Sequence, residues 1–331
     1  MIQVEHLTKC YGTFTAVDDL SFEIGEGHVY GFLGPNGAGK STTMNIIAGC
    51  LSATDGRVLI DGHDIFEDPL QAKKQIGYLP EHPPLYMNET PVEYLSFVGE
   101  AKGLRGAELK RQVGHVMDLT GIDAMSCRRI SALSKGYKQR LGIAQALLGD
   151  PQVVILDEPT VGLDPLQIIE IRDLIRTLGQ SRTVLFSSHI LSEVQAICDQ
   201  ILMIAHGRLV AFDDPQSLER KLLSPNEIVL TTDTSEDTLL SLLSHVSHIT
   251  QVIPVESGPS RTSARIKTDH TDIYELSRDL FLTFRESPHV ILEMSLKKGT
   301  LEDAFLELTD AEPPPLECVD GEIVQVGGEP T

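Results

Sequence analysis

Nine consecutive residues, Gly34-Pro35-Asn36-Gly37-Ala38-Gly39-Lys40-Ser41-Thr42, constrain this chain more than any other stretch. From Gly34 to Ser41 the spacing is glycine, four residues, glycine, lysine, serine. The apolar run Val29-Tyr30-Gly31-Phe32-Leu33 precedes it and reads as a strand. Thr42-Thr43-Met44-Asn45-Ile46-Ile47-Ala48 overlaps its end and reads as a helix. A glycine loop between strand and helix is the setting in which this spacing cradles phosphate. The glycines let backbone N–H groups turn inward around phosphate oxygens, and the helix that follows aims its positive end at them. Lys40 would reach the β- and γ-phosphates as a point charge, and Ser41 would offer its hydroxyl to Mg²⁺. The loop therefore predicts binding of a nucleoside triphosphate by residues 34–42.

A chain of 331 residues has room for two domains, one with a substantial core. No stretch approaches the roughly 18 consecutive apolar residues of a membrane span. The first residues, Met1-Ile2-Gln3-Val4-Glu5, lack the basic-then-apolar order of a secretory signal, so a location on the cytosolic side is expected. Five scattered cysteines (Cys10, Cys50, Cys127, Cys198, Cys318) without a C-x-x-C pair predict reduced thiols and no zinc site. A net charge of −21 argues against broad nucleic-acid binding, which needs a basic face.

Short strand-like runs over 2–6, 20–24, 29–33, 57–60 and 76–79 are punctuated by Gly25, Gly27, Gly56 and Gly62. From 82 to 148 the spacing turns helical, as in Leu109, Val113, Val116 and Leu119. Val153-Val154-Ile155-Leu156 is a continuous apolar run of the buried parallel-strand type. A helix over 166–178, a strand over 183–187, a helix over 191–198 and a hairpin about His206-Gly207 follow. Strands alternating with helices predict a mostly parallel sheet covered on both faces. Beyond 217–225 the order is βαββαβ, closing with a helix over 301–308, which suggests a small ferredoxin-like α+β domain. The stretch 311–331 is acidic, contains Pro313-Pro314-Pro315 and no Lys or Arg, and is expected to be disordered. The boundaries expected are 1–220, 225–310 and 311–331.

Asp157-Glu158 closes the run Val153–Leu156. A strand end places both carboxylates at the edge of a parallel sheet, where such sheets bind ligands. Asp157 is the expected partner of Mg²⁺, and Glu158 is placed to polarise a water against the γ-phosphate. Phosphoryl transfer needs mainly positioned charge and an oriented nucleophile, and these residues supply both.

With both constellations in place, residues 1–215 resemble the ATP-binding subunit of ABC transporters. Leu133-Ser134-Lys135-Gly136-Tyr137 looks like the family signature, usually Leu-Ser-Gly-Gly-Gln. In the family that segment caps the γ-phosphate of ATP held by a second subunit. Ser134 and the Gly136 N–H at a helix N-terminus would welcome an anion. The resemblance thus implies a head-to-tail dimer of two copies with two ATP molecules at the interface, and a P-loop α/β core carrying antiparallel β and α-helical subdomains. It also matches Tyr11 to the aromatic that stacks on adenine. Asp164, in Gly162-Leu163-Asp164, falls in the D-loop that contacts the opposite subunit. His189 corresponds to the switch histidine at the γ-phosphate. Two departures stand out. Glu81 occupies the position where the family carries a glutamine approaching Mg²⁺ or water. Lys135 and Tyr137 replace Gly and Gln in the signature.

The variant signature, the Pro80-Glu81 pair and the additional C-terminal domain resemble the subgroup that serves exporters with a separate membrane chain. An ATPase subunit peripheral to the inner face of the cell membrane is therefore the leading expectation. The permease groove is expected over residues 81–94, near Pro83, Pro84, Leu85, Tyr86 and Met87. Two other readings stay open: a soluble ABC ATPase acting on ribosomal or nucleic-acid complexes, and a non-hydrolysing regulatory subunit. One cassette without sustained heptads, and the acidity, count against the first. Glu158 counts against the second.

Overall fold

The computed structural model describes residues 1–222, 227–258, 261–268, 272–297, 305, 316–319 and 322–325. They divide into two compact units, Met1–Pro215 with Thr309–Thr331, and Gln216–Leu308.

In the first unit the chain opens with two long antiparallel strands, β1 (Ile2–Tyr11) and β2 (Phe14–Ile24), then β3 (Val29–Leu33). Helix α1 (Lys40–Ile47) leads to β4 (Asp55–Ile60), the short β5 (His63–Asp64), α2 (Pro69–Lys74) and β6 (Ile76–Leu79). Three helices follow without a strand: α3 (Pro91–Ala101), α4 (Gly106–Thr120) and α5 (Lys135–Leu147). The chain then alternates through β7 (Val153–Leu156), α6 (Pro165–Gly179), β8 (Thr183–Ser188) and α7 (Leu191–Ile197), ending in the hairpin β9 (Gln200–Ala205) and β10 (Arg208–Asp213).

Two sheets result. One is ordered β10-β9-β3-β8-β7-β6, with the five strands from β9 to β6 parallel. Every residue of β3, β7 and β8 is buried, as expected of parallel strands covered on both faces. The other sheet contains β2, β1, β4 and β5 and is antiparallel. Ile2, Leu7 and Leu20 from it share one core with Phe32, Ile155 and Leu202 of the parallel sheet and Met44 and Ile47 of α1. Helix α1 is thus buried between the sheets, and its N-terminus emerges at one edge.

Helix α5 lies directly on β6. A Cβ at Gly77 would come within 2.2 Å of the Ala146 carbonyl oxygen, and one at Gly142 within 2.5 Å of Leu79 Cδ1. Only glycine permits so close an approach at these two positions.

The antiparallel sheet has a further part. Strands β15 (Leu316–Val319) and β16 (Glu322–Gln325) pair with each other, and β15 joins β2 with Glu317 opposite Phe14. These eight residues fall in the stretch expected to be disordered. Composition does not register that the edge of β2 offers backbone partners to any extended segment. A second difference concerns sulfur. Cys10 is disulfide-bonded, whereas scattered cysteines predicted thiols throughout. Cys50, Cys127 and Cys198 are free thiols. Proximity in the folded chain decides pairing, and spacing along the sequence does not reveal it.

The second unit begins with α8 (Pro215–Leu222) at its border and runs β11 (Glu227–Thr232), α9 (Glu236–Leu243), β12 (Ile249–Ser257), β13 (Thr262–Thr268), α10 (Ile273–Arg285) and β14 (Ile291–Lys297). Its sheet is ordered β12-β13-β11-β14 and antiparallel throughout, the split βαβ arrangement. Ile228 and Leu230 face Ile266 and Ala264 across the register. Ile273, Leu276, Leu280 and Phe284 give α10 a buried stripe at helical spacing. Of the helix expected over 301–308, only Phe305 is described; it is helical and buried.

Candidate active site

Four neighbouring parallel strands deliver the site. In the order β3-β8-β7-β6, their C-terminal ends run into Gly34, His189, Asp157-Glu158 and Pro80-Glu81 respectively. Residues far apart in the chain therefore meet at one sheet edge, where parallel sheets take their ligands. A cleft of about 520 Å³ opens there, lined among others by Tyr11, Asn36, Gly37, Gly39, Lys40, Ser41, Thr42, Glu81, Glu158 and His189. Its size lies within the usual range for small-molecule sites, about 300–1,000 Å³.

The glycine loop forms one wall. Gly39 precedes α1 with φ 99°, and a Cβ there would approach the Ala16 carbonyl oxygen to 2.5 Å. Gly37 has φ 83°. Gly34, Pro35 and Ala38 shape the loop from behind. The Lys40 ammonium donates to the carbonyls of Gly34 (2.8 Å) and Pro35 (3.2 Å), and the Ala38 N–H donates to the Pro35 carbonyl at 3.2 Å. Lys40 is only 6% exposed, so its long side chain is held in one place.

Opposite stand the carboxylates. Ser41 Oγ donates to Asp157 Oδ1 at 3.1 Å, and Ser187 Oγ donates to the same oxygen at 2.7 Å. Ser187 Oγ also accepts the Glu158 N–H at 2.7 Å. Burial pushes the Asp157 carboxyl above its ordinary pKa against the pull of both hydroxyls, and the charges of Glu158 and Glu81 push the same way. A cation beside Ser41 and Asp157 would relieve that cost, so this hydroxyl–carboxylate pair suits a hard divalent ion.

Glu158 is 7% exposed and joins two cationic or protonatable groups. Its Oε1 lies 3.4 Å from Lys40 Nζ and its Oε2 3.0 Å from His189 Nδ1. Its backbone sits at φ 46°, in the left-handed region that side chains other than glycine seldom occupy. Backbone of this kind persists where the surroundings over-determine it, and functional sites are where it collects.

Tyr11 is 49% exposed at the end of β1, with Lys9 Nζ 5.3 Å from its ring centroid. Phe14, Ala16 and Val161 also line the cleft and were not foreseen. Phe14 carried a signal, a second aromatic in the same hairpin as Tyr11.

Ser134, Gly136 and Asp164 do not line this cleft. Ser134 caps α5, its Oγ accepting the Tyr137 N–H at 3.4 Å. Asp164 caps α6, accepting from Leu166 and Gln167 N–H at 3.1 and 3.0 Å. The two helix starts adjoin: a Cβ at Gly136 would come 2.5 Å from Gln167 Oε1. A single chain thus gathers the loop, the carboxylates and the histidine, and holds the signature elsewhere.

Residues 17–161 match the family model described as ABC transporter. Across almost its whole length the chain is similar to the linearmycin resistance ATP-binding protein of Bacillus subtilis (strain 168), with 32% identity over 312 residues, 93% of this chain and 98% of that protein. The chain belongs to the ATP-binding subunits of ABC transporters. Solved structures share the fold of this ABC subunit. One is a cassette from Clostridium perfringens described as part of the transporter complex cbiONQ (30% identity, TM-score 0.59, covering 66% of this chain and 89% of that one). Another is a bacterial ABC transporter cassette in dimeric form (26% identity, TM-score 0.59, covering 65% and 98%). The chain accordingly binds and hydrolyses ATP as the energy-supplying subunit of a transporter.

Proposed function

We propose that two copies of this ABC subunit close head-to-tail around two Mg²⁺-bound ATP molecules and thereby drive a separate membrane permease, as an exporter. The observation that carries the chemistry is the Glu158 carboxylate, buried between Lys40 and His189 at the cleft. Tyr11 stacks on the adenine, residues 34–42 wrap the phosphates, and Lys40 leaves Glu158 to meet the γ-phosphate. Glu158, freed of that partner, polarises a water for attack in line with the leaving phosphate, and His189 holds a γ-phosphate oxygen. Ser41 and Asp157 would hold Mg²⁺, with Glu81 approaching through water; the ion neutralises charge on the β- and γ-phosphates. Ser134, the Gly136 N–H and the Asp164 loop act on the neighbour's nucleotide. Their placement away from the chain's own cleft supports this reading, as does the dimeric form of a similar cassette.

Three features support a membrane partner. A similar cassette is part of a transporter complex. Among the described residues no helix is long and apolar enough to cross a membrane, which fits a transport path built by another chain. Near the expected groove, Tyr86 (50% exposed) meets Tyr94 edge-on and Phe97 at a tilt, at centroid distances of 5.6 and 5.3 Å. That aromatic cluster offers apolar surface to a docking segment. Similarity to a resistance protein favours export, and the permease would hold the subunit at the inner face of the membrane.

Glu158→Gln keeps the shape and removes the base. Turnover should fall roughly 10²-fold or more while ATP still binds. Phosphate release measured beside nucleotide titration checks this, and unchanged turnover would remove Glu158 from its role.

A further inference from the structure

We propose that Glu193 is a positioning residue for ATP hydrolysis, its buried carboxylate fixing the distance between Glu158 and His189. The inference rests on the reading that these two residues carry the chemistry.

Glu193 stands in the first turn of α7 and is 2% exposed. It does not line the cleft. A carboxylate so buried is rare unless it is paired. Glu193 is paired three times, each time with a different element. Thr160, in the loop after β7, donates its hydroxyl to Oε2 at 2.7 Å. Ser188, the last residue of β8, donates to the same oxygen at 3.0 Å. Arg172, on α6, brings an Nη2 to 3.5 Å from Oε1.

These partners adjoin the reacting groups. Thr160 lies two residues beyond Glu158, and Ser188 immediately precedes His189. The Glu158 turn, at φ 46°, has one anchor on its N-terminal side, the Ser187 hydroxyl that accepts the Glu158 N–H. Its anchor on the C-terminal side is Thr160, and Thr160 is held by Glu193. The same carboxylate oxygen holds the end of β8, from which His189 reaches Glu158 at 3.0 Å. Glu193 therefore links the base and the histidine from behind the cleft. Arg172 extends the link to α6, which begins at Asp164. Arg172 Nε is buried without a hydrogen-bond partner among the described residues, so the guanidinium leans on this carboxylate.

The test uses the full chain. In Glu193→Ala, kcat should fall about tenfold or more while the dissociation constant for ADP stays within about twofold, because misplacing a reacting group acts on rate and not on the phosphate loop. Glu193→Gln keeps an acceptor for both hydroxyls and should recover most of that loss. Thr160→Val, which removes one donor, should lower kcat in the same sense. In the Glu158→Gln background Glu193→Ala should change nothing further, since both act through one group. Unchanged kcat in folded Glu193→Ala would overturn the proposal. So would a parallel loss of kcat and ADP affinity, the mark of general damage. Should Glu193→Ala fail to fold, Thr160→Val decides alone by the same two criteria. If Glu158→Gln itself retained turnover, the site reading would fail. An inactive Glu158→Gln beside fully active Glu193→Ala and Thr160→Val sinks only the present inference.

Discussion

Gly39 shows how narrow the residue-scale requirements are. Its φ of 99° and the Ala16 carbonyl 2.5 Å from any Cβ leave no room for a side chain. Gly39→Ala should cost about 1–3 kcal/mol of stability and weaken ATP binding about tenfold or more. Urea unfolding and titration with a fluorescent nucleotide check both effects. This loop was legible in the sequence because every constraint on it is local: glycines, lysine and serine act within nine residues. The carboxylates were legible for a similar reason, as they end a wholly apolar run. Ser187, Ser188, Thr160 and Glu193 were not. Ser187 and Thr160 matter through groups some 30 positions away that the fold brings alongside, and a serine after an apolar run carries no mark of that. Ser134 was readable at a helix N-terminus and, by resemblance, Ser134 and Asp164 as partners of another chain; that Asp164 caps α6 was not foreseen. The fold of one copy leaves them beside each other's helices.

At the scale of elements, periodicity sufficed for the long helices and for the order of the second unit, while α2, α8 and the extent of β1 and β2 escaped it. Register shifts between Val4 and Cys10 break the alternation of β1, so its outer half does not read as strand. Helix α5 is held by a contact invisible to periodicity. Lys102, just past α3, reaches the carbonyls of Gln145, Ala146 and Leu148 at 3.4, 3.3 and 2.6 Å. It satisfies the open C-terminal end of α5, where a cation is also favoured by the helix dipole. Lys102 is exposed along its length, but desolvation where its ammonium meets these carbonyls pulls its pKa down to about 8, against about 10.4 in an unfolded chain. Between those values the unfolded state holds more protons, so stability rises with pH across that window. Below about 8 both states are charged, and the group adds no further pH dependence. Lys102→Met lacks this dependence. The difference in urea midpoint between the native chain and Lys102→Met should therefore shift in favour of the native chain from about pH 7.5 to about pH 10.

For the whole molecule, the separation of Ser134 from its own chain's cleft makes assembly the central question. In the Glu158→Gln background ATP should double the sedimenting mass, and ADP should not. Adding Ser134→Arg should abolish the doubling while each chain still binds one ATP, read by analytical ultracentrifugation beside nucleotide titration. A monomer under ATP in Glu158→Gln would remove the head-to-tail arrangement. The two bare glycine contacts, Gly77 against Ala146 and Gly142 against Leu79, then acquire a mechanical meaning. At Gly77 backbone rests on the Ala146 carbonyl, and at Gly142 the helix rests on the buried Leu79 side chain, so little slack separates α5 from β6. A tug on the segment beyond Leu79 would be handed through α5 to Ser134 as if by a stiff rod. In the proposed head-to-tail pair, a pull by a permease on one copy would be felt first at the ATP of the other.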